Sequence, residues 1–157
     1  MRKLNTIINL KEVNKTFDNG TVAIQGMNID VSNGQFISFL GPSGCGKSTV
    51  LKMIAGLLKP TSGDIMFNGK SFSSQLQDLE IGYVFQDATL MPWATVSDNV
   101  FLPLRIKGIS KSKASSEIEK VLMQVGLKDF FNAYPRELSG GMKMRVSIAR
   151  ALIMRPK

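Results

Sequence analysis

Histidine is absent from this 157-residue chain, and cysteine, tryptophan and tyrosine are scarce, at one, one and two residues. Any role that needs an imidazole therefore has to be filled from outside these residues. A single cysteine forbids an internal disulfide, and its place inside a glycine-rich loop points to a reducing, cytoplasmic setting. Long apolar runs are missing too, since no stretch approaches the roughly 20 residues that a membrane-spanning helix needs. Met1-Arg2-Lys3 has the basic character of a secretory leader, but Asn5, Asn9, Lys11 and Glu12 interrupt any apolar region after it, so export is not expected. Internal repeats and low-complexity segments are absent as well.

What is present is ordinary for a folded, water-soluble domain: 43% hydrophobic and 20% charged residues leave no case for disorder. The length fits one small domain or part of a larger one. A formal net charge of +8 suits anionic partners, whether nucleotide, lipid headgroup or nucleic acid.

The run Gly41-Pro42-Ser43-Gly44-Cys45-Gly46-Lys47-Ser48-Thr49 matches a phosphate-binding P-loop. Its flanks have the required character. The apolar segment Phe36 to Leu40 reads as a buried strand, and Ser48 to Leu57 reads as a helix with Val50, Leu51, Ile54 and Leu57 on one face. Glycines 41, 44 and 46 let successive amides curl into an anion nest, and the helix N-terminus adds partial positive charge. In such a loop Lys47 reaches the β- and γ-phosphates of a nucleotide, and the Ser48 hydroxyl holds Mg²⁺. The plain alternative is a glycine-rich turn that precedes a lysine.

The N-terminal stretch is β-rich. Val22 to Gln25 and Met27 to Val31 alternate as strands, and Asn19-Gly20 and Asn33-Gly34 mark turns. Asp64 to Phe67 is a further strand followed by the hairpin signal Asn68-Gly69, and Ile81 to Phe85 is a buried strand ending at Gln86. Helices are then expected over Thr95 to Lys107, over Ser110 to Val125 with Gly126 as its stop, and after Ser139, with Val146, Ala149, Leu152 and Ile153 inward and Arg155-Pro156 as terminator. The charged run Lys107 to Lys113 reads as a solvated loop.

A second motif is Leu138-Ser139-Gly140-Gly141-Met142, followed by Arg145-Val146-Ser147-Ile148-Ala149-Arg150-Ala151-Leu152. Here the sequence resembles the ATP-binding subunits of ABC transporters, whose signature is usually Leu-Ser-Gly-Gly-Gln. The resemblance runs from Val13 to Lys157, with P-loop, glutamine loop and signature in family order. Met142 departs from the family glutamine and removes any polar contact made by that side chain, while Ser139 and the two glycine amides remain. A serine-capped helix after a glycine turn is the plain alternative.

The resemblance implies an α/β P-loop fold with an N-terminal antiparallel β subdomain and an inserted helical subdomain. Its parts would be residues 1–86 for β subdomain and P-loop core, 87–137 for the helical subdomain, and 138–157 for the signature and following helix. It implies ATP and Mg²⁺ as ligands, with Ser139, Gly140 and Gly141 of one copy covering the γ-phosphate held by the P-loop of a second, head-to-tail copy. Gln86 would contact Mg²⁺ or the attacking water, so that Lys47, Gln86 and Ser139 carry the chemistry, and Phe17 would stack on adenine. For Phe17 an ordinary core role is open, and Ile81 to Phe85 with Asp87 can also be read as a metal-binding Walker B strand. Cys45 shows nothing nearby to make it a nucleophile.

Leu90-Met91-Pro92-Trp93-Ala94-Thr95-Val96-Ser97-Asp98-Asn99-Val100 resembles importers for nitrate, sulfonates and taurine. Met91, Pro92 and Trp93 could then form a socket for a transmembrane subunit, or pack inside the helical subdomain. The expected partners are a second copy, a permease and, indirectly, a solute-binding protein, at the cytoplasmic face of the membrane, with no nucleic acid. The family's Walker B aspartate, catalytic glutamate and switch histidine would follow Lys157, so turnover by these residues alone is not expected. Rival readings are a soluble ABC protein acting on ribosomes or DNA, a small-molecule kinase, and a non-catalytic remnant.

Overall fold

The computed structural model describes residues 6–71 and 81–156. They belong to two compact units, residues 1–79 and residues 80–157.

Among the described residues, the first unit is a four-stranded antiparallel sheet with one helix. β1 (Thr6–Thr16) lies between β2 (Val22–Ser32) and β3 (Ser62–Phe67), and β4 (Lys70–Ser71) lies on the outside of β3. Gly20, at φ 80, turns β1 into β2, and Asn68 and Gly69, at φ 48 and 76, turn β3 into β4. Two consecutive left-handed residues are what a two-residue hairpin of type I′ requires. The two strands expected over 22–25 and 27–31 are one strand, kinked at Gly26 with φ 54.

β1 carries its own irregularity: its register shifts between Leu10 and Val13 toward β2 and between Lys11 and Asn14 toward β3, around Glu12 at φ 48. Gly63 faces this bulge so closely that a Cβ there would overlap the Glu12 carbonyl. α1 (Lys47–Ile54) packs Val50 and Met53 into a core with Leu10, Val13, Ile24, Ile65 and Phe67.

α1 stops earlier than the apolar spacing suggests. Gly56, at φ 72, donates to the Met53 carbonyl at 3.1 Å, and Leu57 donates to the Lys52 carbonyl at 2.9 Å. Those two bonds end the helix with a left-handed glycine and turn the chain away. Leu51 and Leu57, expected on the inner face, are exposed.

Neither Phe36–Leu40 nor Ile81–Phe85 forms a strand, contrary to expectation. In the first, Ile37 and Phe39 turn inward while Phe36 and Leu40 are 92% and 91% exposed. The alternation is that of a strand, but an apolar run specifies burial and not a ladder partner. No described segment supplies one to either run.

Among its described residues, the second unit packs three α-helices, with two short 3-10 turns before the last, around one core. α2 (Val96–Ile106), α3 (Lys111–Gln124) and α4 (Gly140–Leu152) bury Val96, Val100, Ile118, Leu122 and Val146 together with Leu127. Thr95 caps α2, its Oγ1 accepting from the Asp98 N–H at 3.2 Å. Gly126 ends α3 as Gly56 ends α1, with Leu127 donating to the Leu122 carbonyl at 2.8 Å and its side chain fully buried. Of the inner face expected for α4, Val146, Ala149 and Ile153 are buried and Leu152 is exposed. The chain leaves α4 through Arg155, at φ 51, before Pro156.

Candidate nucleotide-binding site

The P-loop residues 41–49 and Phe17 lie in the first unit; Gln86, Ser139, Gly140 and Gly141 lie in the second. Gly41, Gly44 and Gly46 have φ of 151, 83 and 92, values that L side chains rarely adopt. Gly46 is also the N-cap of α1, and a Cβ there would stand 2.6 Å from both the Ala23 carbonyl oxygen and Ile24 Cδ1. The loop is thus drawn against β2 by a glycine that nothing larger can replace. Lys47 begins the helix and folds back over the loop, its Nζ donating to the Gly41 and Pro42 carbonyls at 2.8 and 2.6 Å and to Cys45 Sγ at 3.3 Å. Its charge is held at the centre of the loop, beside the N-terminus of α1. Pro42, Ser43, Gly44, Cys45 and Ser48 are exposed, and Thr49 is half-buried.

Phe17 sits where β1 turns into β2, its N–H donating to the Thr21 carbonyl at 2.9 Å. Its ring is 39% exposed, with Lys15 Nζ 5.5 Å from the centroid, so it is not a core phenylalanine.

Ser139 caps α4, its Oγ accepting from the Met142 N–H at 3.3 Å. Gly140 and Gly141 form the first turn, where helical N–H groups have no intrahelical acceptor. A Cβ at either glycine would meet nothing within 4 Å, and neither has a positive φ. Nothing among the described residues crowds either position.

Gln86 is exposed at the start of a loop that continues through Asp87, Ala88 and Thr89. Two side chains to which no site role was assigned fix that loop and the turn after it. Arg150, half-buried on α4, donates from Nη1 to the Thr89 carbonyl at 3.0 Å and from Nη2 to the Ala88 carbonyl at 3.1 Å and Thr89 Oγ1 at 3.0 Å. Asn99, fully buried on α2, accepts from the Met91 N–H and donates to the Met91, Ala94 and Thr95 carbonyls. Trp93 is 77% exposed and does not pack inside the helical unit. Asp87 is also exposed.

A glycine loop folded against a sheet edge under a lysine, feeding a helix whose N-terminus faces the same loop, defines a P-loop nucleotide-binding protein. The sequence matches the ABC transporter family over residues 24–157, and the chain belongs to that family. It is 43% identical over 154 residues to a spermidine/putrescine import ATP-binding protein of Mesoplasma florum, covering 98% of this chain and 44% of that one. It is 39% identical to an Fe(3+) ions import ATP-binding protein of Pasteurella multocida, again with 98% and 44% covered. A probable sulfate/thiosulfate import ATP-binding protein of Chlorella vulgaris is 44% identical over 136 residues, with 86% and 58% covered. The chain therefore spans somewhat under half to just over half the length of these relatives.

Solved structures agree on the fold. An ATP-binding cassette in a dimeric, post-hydrolysis state with ADP and Pi aligns with a TM-score of 0.87 at 35% identity, over 96% of this chain and 71% of that one. The cbiO1 protein of Clostridium perfringens, part of the transporter complex cbiONQ, gives 0.84 at 31% identity, over 98% and 63%. The α/β ABC-type fold, with its antiparallel β subdomain and helical subdomain, is thereby established.

Proposed function

We propose that this chain is the ATP-binding part of an ABC importer, binding ATP at the P-loop and closing on a second copy to drive transport. The observation that carries the proposal is the Gly41–Thr49 loop, with Lys47 Nζ held at its centre beside the N-terminus of α1. Lys47 and the loop amides take the phosphates, and Phe17 stacks on adenine, a role its exposure at the turn supports. The oxygen donors Ser48 and Gln86 suit Mg²⁺, which prefers hard ligands and arrives largely held by the phosphates. Mg²⁺ would neutralise charge building on the phosphate oxygens.

Gly140 and Gly141 support the second half of the reading. Bare helix N-terminal amides without internal crowding favour close approach by an anion from outside the chain, and the phosphate held by a second copy is that anion. The finer reading of import of nitrate, a sulfonate or taurine rests on residues 90–100. Relatives named for polyamine, iron and sulfate import match as well, so solute choice is assigned to permease and solute-binding partners. Among the described residues no helix is long and apolar enough to cross a membrane, which fits a peripheral subunit docked on a permease at the cytoplasmic face.

Calorimetry with Mg-ATP tests the site. Lys47→Ala should weaken binding by about tenfold or more, as expected for loss of charge-assisted phosphate contacts worth about 1.5–3 kcal/mol. Unchanged affinity would sink the assignment.

A further inference from the structure

Thr89 is a β-branched residue at φ 44, a backbone conformation that such side chains avoid. It stands three positions after Gln86, and among the described residues the side-chain hydrogen bonds that fix it and Ala88 from outside the loop come from one residue, Arg150. That guanidinium is itself an unusual choice. It is half-buried, and no carboxylate among the described residues pairs with it; its acceptors are two carbonyls and the hydroxyls of Thr89 and Ser147. Burial pulls its acidity toward the neutral form, so the site holds the cation at a cost. A half-buried cation whose described partners are all uncharged, next to a strained loop residue, is poor packing, where an apolar side chain would fill the space more cheaply. A planar fork that spans two successive carbonyls is, however, what defines the position of a short loop.

The helix that carries Arg150 is α4, whose other end is capped by Ser139. A 13-residue helix is a continuous hydrogen-bonded rod of about 20 Å. We propose that Arg150 is a positioning residue that locks the loop after Gln86 to α4, so that Gln86 and the Ser139 end of the helix are displaced together and not independently. Strain at Thr89 then has a purpose, since residues held in unfavourable backbone regions persist where the surroundings fix them for function. The inference rests on the nucleotide-site reading for the roles of Gln86 and Ser139, but the clamp itself does not.

Amide hydrogen exchange on the full chain separates the two. In Arg150→Ala, exchange across residues 88–91 should rise about tenfold while α3 stays within twofold, and the emission of Trp93, the only tryptophan, should shift. Arg150→Lys keeps the charge without the fork and should recover only part of the protection. Thr89→Val removes one acceptor and should give a smaller rise in the same segment; it also serves if Arg150→Ala fails to fold. In the assembled transporter, Arg150→Ala should lower kcat about tenfold with KM for ATP within twofold. Exchange unchanged at 88–91, or raised equally in α3, would overturn the clamp. A raised exchange with kcat untouched would overturn its role in positioning. Failure of the unsubstituted chain to bind Mg-ATP would overturn the functional reading while leaving the exchange result standing.

Discussion

Asn99 exchanges two hydrogen bonds with the backbone of Met91, accepting from its N–H at 2.8 Å and donating to its carbonyl at 3.2 Å. The same amide group donates to the Ala94 and Thr95 carbonyls at 3.1 and 2.9 Å, and the side chain is completely buried. One residue of α2 thus fixes both ends of the turn that presents Trp93. Asn99→Ala leaves buried backbone groups without partners and should destabilise the helical unit by about 2–3 kcal/mol, read from urea midpoints. Asn99→Asp is isosteric but cannot donate, and it buries a charge. It should be at least as damaging as alanine, and an aspartate variant as stable as the parent would show that the amide donors are not used.

The P-loop glycines should divide by their surroundings. Gly44 has φ 83 and open space around its Cα, so Gly44→Ala carries only the left-handed backbone penalty of about 1–2 kcal/mol. Gly46→Ala adds a Cβ at 2.6 Å from the Ala23 carbonyl oxygen and Ile24 Cδ1, which forces the loop off β2. Thermal unfolding should rank Gly46→Ala well below Gly44→Ala, and only Gly46→Ala should displace α1 enough to disturb its packing. Equal losses would mean that the close approach to β2 is relieved without consequence.

Local chemistry made the caps, turns and loop legible in the sequence. Ser139, Gly126 and Asn68-Gly69 announce their structures within four residues of themselves, because capping and turn hydrogen bonds are short in sequence, whereas Ser110, a serine of the same kind at the start of α3, makes no side-chain cap bond. β1 was illegible for the opposite reason. The bulge at Glu12 breaks the alternation of Ile8, Leu10 and Val13 on which a strand is recognised. Phe36–Leu40 and Ile81–Phe85 have the composition of strands, but pairing is a non-local property. Arg150 and Asn99 were likewise invisible as loop anchors, since Arg150 reaches 61 positions back to Thr89 and such a bond leaves no spacing to read.

Acid should weaken the helical unit through Asp98. Its hydrogen bond with Lys111 Nζ at 2.6 Å, with help from Thr95, holds the carboxyl below the ordinary aspartate range. A carboxyl depressed in the folded state contributes stability that is present above the unfolded value, about pH 4, and is lost as pH falls through the folded one. Because the pair is substantially exposed, the contribution is small, on the order of 0.5 kcal/mol, and salt should reduce it. Glu117, drawn down by Arg155, acts with the same sign. In urea titrations between pH 5 and 3, Asp98→Asn should flatten part of the decline. A decline of unaltered steepness would remove Asp98 from the account.

Cys45 gives the P-loop a built-in probe. The thiol is exposed, 3.3 Å from Lys47 Nζ, and so close to Gly41 that a Cβ there would stand 2.8 Å from Sγ. A loop that binds phosphate by close backbone approach has no room for a bulky adduct at that position. Maleimide should therefore label the chain at this one site, Mg-ATP should slow the reaction, and labelled protein should lose nucleotide binding. Cys45→Ser, which keeps the size of the side chain, should bind Mg-ATP as the parent does and resist the reagent. Equal labelling rates with and without Mg-ATP would place the cysteine away from bound phosphate, and binding by labelled protein would show that the loop does not close over the ligand as its glycines suggest.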